Sequence, residues 1–316
     1  MFFDMHMDIW TNATWEYEKG DKDIIRKKFK NKFTEGNMLG GISVIWLDDY
    51  ENPEARFQKM LRVASEEAYH SRDFIKIVKE VDDFDKAQKE NKFAIVFGIE
   101  GLAGIGKNID YLYQLERMGV RHIGLTWNET NDIATGQSGD RERGITELGK
   151  DAIKIMEELK IMMDVSHAND RSFWDMVKYA KKPFFASHSN ARSLCPSMRN
   201  LTDDQLLAIK DVNGLVGMNA YHNFVSQNEN EKTLDHLLNH LEYVAEKVGI
   251  DKVGFGFDFA DYYEKETPEK GDLINLRDAR DLNNIVKALK NRGYSQEDID
   301  KVTYKNFIEF MRRVRA

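Results

Sequence analysis

The chain begins MFFDMHMDIW, and this stretch places a histidine and an aspartate two residues apart inside an apolar run. In a β-strand, residues two apart project to the same side, so His6 and Asp8 would point together. Imidazole and carboxylate are common ligands of zinc and related metal ions. The alternative is a core histidine hydrogen-bonded to a carboxylate, because buried polar groups need partners. This stretch alone leaves both interpretations open.

Similar side chains stand where other apolar runs of the sequence end. The ends of five such runs carry ligand-type residues, namely His6 with Asp8, Glu100, His167, His188 and Asp258. An open catalytic zinc site needs about three protein ligands, so six ligands are enough for two ions if one carboxylate bridges them. Glu100 suits the bridge because a carboxylate offers two oxygens. The pattern therefore predicts a metal site, since packing does not account for so many polar strand ends.

The elements that must position these residues are short apolar runs separated by amphipathic stretches. The runs are MFFDMHMD, GGISVIWL, FAIVFGIE, VRHIGLTW, IMMDVSH, PFFASHS, GLVGMNA and KVGFGFD. Near-continuous hydrophobicity is typical of strands that are buried on both faces of a parallel sheet. Helical patterns include residues 52–79, residues 146–160 with Thr146 as a cap, and a helix with a capping box formed by Thr202 and Gln205.

Strands alternating with helices predict an α/β fold, a (β/α)8 TIM barrel of the metal-dependent hydrolase type. We expect a single domain over residues 1–316, with C-terminal helices packing on the barrel. The active site of such a barrel lies at the C-terminal ends of the strands, where the ligand-type residues fall. An open doubly wound sheet is the alternative, but no G-x-G-x-x-G turn follows the first strand.

Composition and charge narrow the possible functions. The chain has 316 residues, of which 41% are hydrophobic and 32% charged, as in ordinary globular proteins. Its net charge of −8 argues against nucleic-acid binding and gives no attraction to an anionic membrane surface. We find neither a signal peptide nor an apolar stretch of membrane-spanning length. The single cysteine, Cys195, fits a reducing compartment, so we expect a cytoplasmic protein with an inert, packed thiol.

Several longer motifs resemble the membrane dipeptidase (renal dipeptidase) family of zinc metallopeptidases, in its bacterial-type cytoplasmic form. They are DMHMD, FGIEG, DVSH, ASHSNARSLCPSMRNLTDDQL and VGFGFDF, in family order from residue 4 to about residue 260. The resemblance implies a (β/α)8 barrel with two zinc ions that hydrolyses dipeptides. Many bacterial relatives accept a D-residue at the C-terminal position, and the family commonly forms dimers, so a homodimer is an open expectation.

The resemblance also implies roles for individual residues. The implied metal ligands are His6, Asp8 and Asp258 for one zinc and His167 and His188 for the other, with Glu100 bridging. Arg199 would bind the free carboxylate of the dipeptide, and Tyr221 falls where the family places a tyrosine near the substrate. Asp258 would also carry the proton to the leaving amine, which makes Glu100 and Asp258 the catalytic carboxylates.

The sequence departs from the family pattern after the fourth apolar run. Mammalian members have a histidine in a THS-like context, whereas this chain reads LTWNETND with Trp127 at that position. Bacterial relatives often share the TWN sequence. We expect Trp127 to contact the substrate and Asn128 to donate a hydrogen bond in place of the histidine, while the preferred side chains of the substrate stay open.

The predicted reaction is hydrolysis of a dipeptide amide bond by a metal-bridged hydroxide, with other divalent metals open as replacements for zinc. One alternative is another metal-dependent amidohydrolase that acts on N-acyl amino acids, cyclic amides or lactones. A second is a metal-stabilised binding protein without turnover. Other histidines are expected to have no metal role. His122 is expected in the core, and His236 and His240 at the surface or in helix packing, because DHLLNHLE lacks the glutamate of the H-E-x-x-H zinc motif.

Overall fold

The structure is a computed structural model, and it describes residues 1–48, 50–262 and 272–316. The chain divides into two compact units that are interleaved in sequence. The first unit comprises Met1–Met7, Ile25–Gly41 and Ala186–Phe310. The second comprises Asp8–Ile24, Ile42–Phe185 and Met311–Ala316. The expectation of a single domain over residues 1–316 stays a prediction.

The described part of the chain contains strands and helices in alternation. The strands are β1 Phe2–Met7, β2 Met38–Trp46, β3 Ile75–Ile77, β4 Phe93–Glu100, β5 Val120–Gly124, β6 Met162–Asp164, β7 Phe184–Phe185, β8 Val216–Met218 and β9 Val253–Phe255. The helices are α1 Ile9–Glu18, α2 Lys30–Glu35, α3 Pro53–His70, α4 Asp82–Lys89, α5 Tyr111–Met118, α6 Glu147–Glu158, α7 Asp170–Tyr179, α8 Asp203–Asp211, α9 His222–Val225, α10 Leu234–Val248, α11 Leu282–Asn291, α12 Gln296–Asp300 and α13 Asn306–Arg315.

The second unit contains the larger set of paired strands. Their order is β2-β4-β5-β6-β7, and β3 pairs with β4 beside this path. The β3–β4, β4–β5, β5–β6 and β6–β7 pairs are all parallel. Every residue of β4 is buried, as expected for a strand with both faces covered.

The first unit contains β1 and the parallel pair β8–β9. All residues of β1 are buried. A parallel bridge between Ala186 and Val216 continues the pairing of β8 just after β7 ends. Parallel strands separated by helices confirm the predicted α/β class, and each of the eight apolar runs contains a strand.

One predicted element is wrong in part. The helical pattern over residues 52–79 predicted one long helix, but α3 ends at His70 and β3 occupies Ile75–Ile77. A tight turn separates the two, with the Phe74 and Ile75 amides donating to the Ser71 carbonyl. Pairing with β4 therefore overrides the helical periodicity of this segment, because a strand ladder satisfies its backbone groups equally well.

Two predicted helix caps are confirmed. Thr146 accepts a hydrogen bond from the Gly149 amide at the start of α6. Thr202 and Gln205 form a reciprocal capping box at the start of α8, which satisfies two amides that a helix N-terminus leaves without internal partners. Among the helices that the structure describes, none is both long enough and apolar enough to cross a membrane.

Candidate functional site

Three of the predicted metal ligands lie together in the first unit. His6 comes from β1, whereas His188 and Asp258 each stand three residues beyond the end of a strand. The rings of His6 and His188 stack with their centroids 3.7 Å apart, and both side chains are buried. His6 Nε2 lies 3.9 Å from Asp258 Oδ1. That separation is too long for a hydrogen bond but suits two ligands of one ion, whose bonds to nitrogen and oxygen are about 2.0–2.2 Å.

The Asp258 carboxylate is held by a buried asparagine. Asn219 Nδ2 donates to Asp258 Oδ2 at 3.0 Å, and Asn219 Oδ1 accepts from the Tyr221 amide at 2.6 Å. Asp258 itself has a φ of +56°, a backbone conformation that costs energy for any residue other than glycine. Such strain is kept where the surrounding structure needs a side chain to point in one direction.

Asp4 connects two backbone segments that carry members of the same cluster. Its Oδ1 accepts hydrogen bonds from the His6 amide at 3.1 Å and from the Phe257 amide at 2.8 Å. Burial raises the pKa of Asp4 to about 7, although the two amide hydrogen bonds oppose this shift. One side chain thus joins the backbone beside His6 to the backbone beside Asp258.

Arg199 and Tyr221, the predicted substrate residues of the first unit, lie against the same aromatic ring. The guanidinium of Arg199 stands 5.5 Å from the centroid of Phe224, and the ring of Tyr221 is 4.9 Å from it. Arg199 Nη1 donates to Ser189 Oγ and Nη2 donates to the His188 carbonyl, both at 3.3 Å. Arg199 is 5% exposed, so its charge is shielded from water and suited to a single anionic partner.

In the second unit, the structure brings Glu100 and His167 together. Glu100 is the last residue of β4, and its Oε1 lies 2.9 Å from His167 Nε2. His167 Nδ1 lies 2.7 Å from Asn128 Oδ1, and because an amide oxygen only accepts, Nδ1 must carry the hydrogen. A neutral imidazole then presents the lone pair of Nε2 to a carboxylate oxygen. Two lone pairs at this distance need a proton or a metal ion between them.

His167 shares a further property with Asp258. Its φ is +67°, so two of the predicted metal ligands, one in each unit, stand on left-handed backbone. Strained residues of this kind concentrate at functional sites. Asp8, the remaining predicted ligand, is buried in the second unit between β1 and α1, and its carbonyl accepts the Asn12 amide in the first turn of α1.

Trp127 lies beside His167, with ring centroids 6.0 Å apart. Its other neighbour is Trp46, on which it stacks with a centroid distance of 5.1 Å and an interplanar angle of 22°. The residue that departs from the family pattern is therefore part of an aromatic surface next to a predicted ligand.

Sequence reasoning missed three positioning side chains: Asp4, Asn219 and the contact of Asn128 with His167. Asn219 carried a signal, since it is a polar residue at the end of the apolar run GLVGMNA. The packing roles of two histidines are confirmed. His122 is buried and bonds Asp164 at 2.9 Å, and His240 is buried between the Ala191 amide and the Val225 carbonyl.

Comparison with known proteins places this arrangement in context. One family model, described as membrane dipeptidase (peptidase family M19), matches residues 3–316. The "uncharacterized protein in pqqA 5'region" of Klebsiella pneumoniae is 33% identical over 257 residues, which cover 78% of this chain and 91% of that protein. "Dipeptidase tcpJ" of Claviceps purpurea is 26% identical over 77% of this chain, a match that spans 56% of that protein.

The likeness to solved structures extends over the whole chain. A metallopeptidase from Rhodobacter sphaeroides, solved with a phosphinate mimic of the dipeptide L-Ala-D-Ala, superposes with a TM-score of 0.86 at 23% identity. The match covers 99% of each chain. This likeness confirms the predicted fold class, an α/β fold of the (β/α)8 barrel type.

Proposed function

This chain belongs to the membrane dipeptidase family, peptidase family M19, and from this premise we propose that it hydrolyses dipeptides by means of two zinc ions. Family membership makes it a metal-dependent dipeptidase. The proposal concerns the metal, the residues that hold it and the substrate. The observation that carries it is the pairing of Glu100 with His167 at 2.9 Å, in which Asn128 holds the hydrogen on the far nitrogen of the imidazole.

The proposed ligands divide into two sets that share a bridge. They are His6, Asp8 and Asp258 for one zinc and His167 and His188 for the other, with Glu100 between them. Nitrogen and carboxylate donors of this kind suit zinc, and the hydrogen bond of Asn128 to His167 orients a ligand in the way that metal sites require. All six side chains except Asp258 are buried, so few waters compete for the ions.

When bound, the ions would lower the pKa of a water molecule and polarise the scissile carbonyl. Proton transfer and substrate binding are assigned to the chain's own residues. Asp258, whose Oδ2 accepts a hydrogen bond from Asn219 Nδ2, would pass a proton to the leaving amine. Arg199 holds the C-terminal carboxylate of the substrate by a charge-assisted pair of hydrogen bonds, which selects dipeptides over longer chains.

The substrate is proposed to be a dipeptide with a D-residue accepted at its C-terminal position. Support comes from the similar metallopeptidase solved with a mimic of L-Ala-D-Ala. Tyr221, Trp127 and Asn128 would complete the surroundings of the substrate. We further propose a single domain over residues 1–316, a cytoplasmic location and a homodimer.

A substrate panel tests the proposal. Protein stripped of metal and then loaded with zinc is assayed against L,L- and L,D-dipeptides, N-acyl amino acids, cyclic amides and lactones. We expect dipeptides to be hydrolysed and their C-terminally amidated forms to react far more slowly. Faster turnover of N-acyl amino acids or lactones would instead identify a different amidohydrolase, and no turnover with zinc bound would identify a binding protein.

A further inference from the structure

A row of indole rings lies beside the predicted ligand His167 in the second unit. Trp127 stacks on Trp46, and Trp15 meets Trp46 edge-on with ring centroids 5.9 Å apart. Trp46 and Trp127 are both partly exposed. We call Trp15, Trp46 and Trp127 the aromatic row. An exposed indole next to a catalytic centre offers a flat, apolar face to a substrate side chain.

A carboxylate that has no cationic partner among the described residues stands next to this row. Glu129, two residues beyond Trp127, accepts hydrogen bonds from the Tyr50 hydroxyl at 3.3 Å and from Asn131 Nδ2 at 2.9 Å. Both donors are neutral. In the part of the chain that the structure describes, Glu129 takes part in no ion pair, so its negative charge is left for a ligand or for solvent.

Asp48, a second acidic group near the row, differs from Glu129 because it has a cationic partner. Arg56 binds both of its oxygens at 2.7 Å, and the Trp15 indole donates to it as well. Although burial opposes ionisation, these partners lower the pKa of Asp48 below its ordinary value. Asp48 therefore has a cationic partner, whereas the described residues bind Glu129 through neutral donors.

Glu129 lies close to the backbone that follows Glu100. A side-chain carbon added at Gly101, the residue after Glu100, would lie 3.6 Å from Glu129 Oε1. The charges of both acids act on Tyr50. Partial burial raises the pKa of its phenol, and the charges of Glu129 and Glu100 raise it further. Tyr50 is 41% exposed, so a ligand can reach this residue from solvent.

A carboxylate beside exposed indole and phenol rings matches a side chain with an aliphatic stem and a cationic head. The stem of lysine or arginine covers apolar surface while the head stays polar. Guanidinium and ammonium groups are attracted to aromatic faces, and a guanidinium also stacks on them. The α-ammonium group of a dipeptide has no such stem, so the aromatic row favours a basic side chain as the cation.

We propose that Glu129, Tyr50 and Trp127 form a subsite for a basic side chain on the N-terminal residue of the dipeptide. This inference rests on the proposed function. Arg199 is assigned to the anionic, C-terminal end of the substrate, so an acidic subsite suits the residue at the other end. Lysine or arginine at that position would give Glu129 a cationic partner, which it lacks among the residues that the structure describes.

The test compares arginyl-alanine with citrullyl-alanine, whose neutral side chain has nearly the same shape. We expect the wild type to prefer the arginyl substrate in kcat/KM by about tenfold or more, the lower worth of a hydrogen bond to a charged group. Glu129→Gln should bring this ratio close to one. Asp132→Asn removes the same charge from an exposed position three residues along the same loop and should keep the ratio.

Glu129→Lys provides a second variant at this partly exposed position, and it should prefer glutamyl-alanine to arginyl-alanine. If Glu129→Gln lowers kcat/KM for arginyl-, citrullyl- and leucyl-alanine by the same factor, Glu129 serves the α-ammonium group and the side-chain subsite is refuted. A wild type that hydrolyses leucyl-alanine without preferring arginine over citrulline also refutes it, while the proposed function stands.

A binding measurement separates this inference from catalysis. Titration with free arginine should quench the fluorescence of the aromatic row at lower concentration than citrulline does, and Glu129→Gln should remove the difference. This result is expected even from protein that turns over no dipeptide, which would be a failure of the proposed function alone. Equal quenching by arginine and citrulline would overturn the subsite.

Discussion

Replacing Asn219 with aspartate removes the amide hydrogen bond that fixes the Asp258 carboxylate while nearly keeping the shape of the side chain. Asn219 is fully buried. The retained Oδ1 can still accept from the Tyr221 amide, as it does at 2.6 Å in the wild type. The substitution therefore acts on Asp258, and on the longer hydrogen bond from Asn219 Nδ2 to the His188 carbonyl at 3.4 Å, with little change to the loop that carries Tyr221.

The expected loss follows from the contact itself. Asn219 Nδ2 lies 3.0 Å from Asp258 Oδ2, and a hydrogen bond to a charged group is worth about 1.5–3 kcal/mol. At about 1.4 kcal/mol for each factor of ten, kcat should fall by about 10- to 150-fold. The new carboxylate also repels Asp258 and adds to the loss. The KM for a dipeptide should change by less than about threefold, because Arg199 is untouched.

Steady-state kinetics with a dipeptide and zinc give both constants. Asn190→Asp is the matched control, since Asn190 Nδ2 donates to the Asn219 and Phe224 carbonyls and not to the Asp258 carboxylate. It should cost stability in thermal unfolding while kcat per folded molecule stays higher than in Asn219→Asp. A kcat within twofold of wild type in Asn219→Asp would refute the idea that Asn219 positions Asp258.

Three further substitutions test other parts of the site and the fold. Arg199→Lys should lower kcat/KM for dipeptides by a factor equivalent to about 1.5–3 kcal/mol, because lysine cannot form the two parallel hydrogen bonds of a guanidinium. The zinc content should not change. If the loss caused by Arg199→Lys and the loss caused by amidating the C-terminus of the dipeptide simply add, Arg199 does not touch the carboxylate. Glu100→Gln should abolish activity and weaken zinc binding while the fold persists in circular dichroism, since a neutral amide compensates two cations poorly; near-normal turnover would rule out the bridge. Burial lowers the pKa of His240, and its Nδ1 accepts the Ala191 amide only when neutral. The unfolded chain therefore binds a proton below about pH 6.5 that the folded chain rejects, so stability falls as pH falls through that range. His240→Gln should flatten this slope in denaturant unfolding between pH 7 and 5, and an unchanged slope would contradict the reasoning.

The sequence was informative about elements whose burial follows a simple pattern. Strands covered on both faces read as apolar runs, and each such run contains a strand. Helix α1 was missed because seven of its ten residues are buried, which leaves no polar stripe to mark a helical period. Strand β3 was missed because it has three residues and only Ile75 is buried. Its pairing with β4 is a tertiary contact that the local pattern does not carry.

The ligands of the predicted site followed from a local sequence pattern, whereas the contacts that position them did not. Residue types at strand ends indicated the ligand set, because polar side chains in those places have few packing explanations. The hydrogen bond from Asn219 to Asp258 joins residues 39 positions apart, and that from His167 to Asn128 also spans 39. His167 and Asp258 also stand on left-handed backbone. Spacing along one sequence does not report them.

Zinc titration of metal-free protein, followed by elemental analysis and dipeptide turnover on the same samples, tests the central proposal most directly. We predict that the saturated protein holds two zinc ions per chain and that hydrolysis of an L,D-dipeptide appears with zinc and disappears with a chelator. Dipeptide turnover that persists at full rate after the metal is removed, or a zinc-saturated protein that hydrolyses no dipeptide, would contradict it.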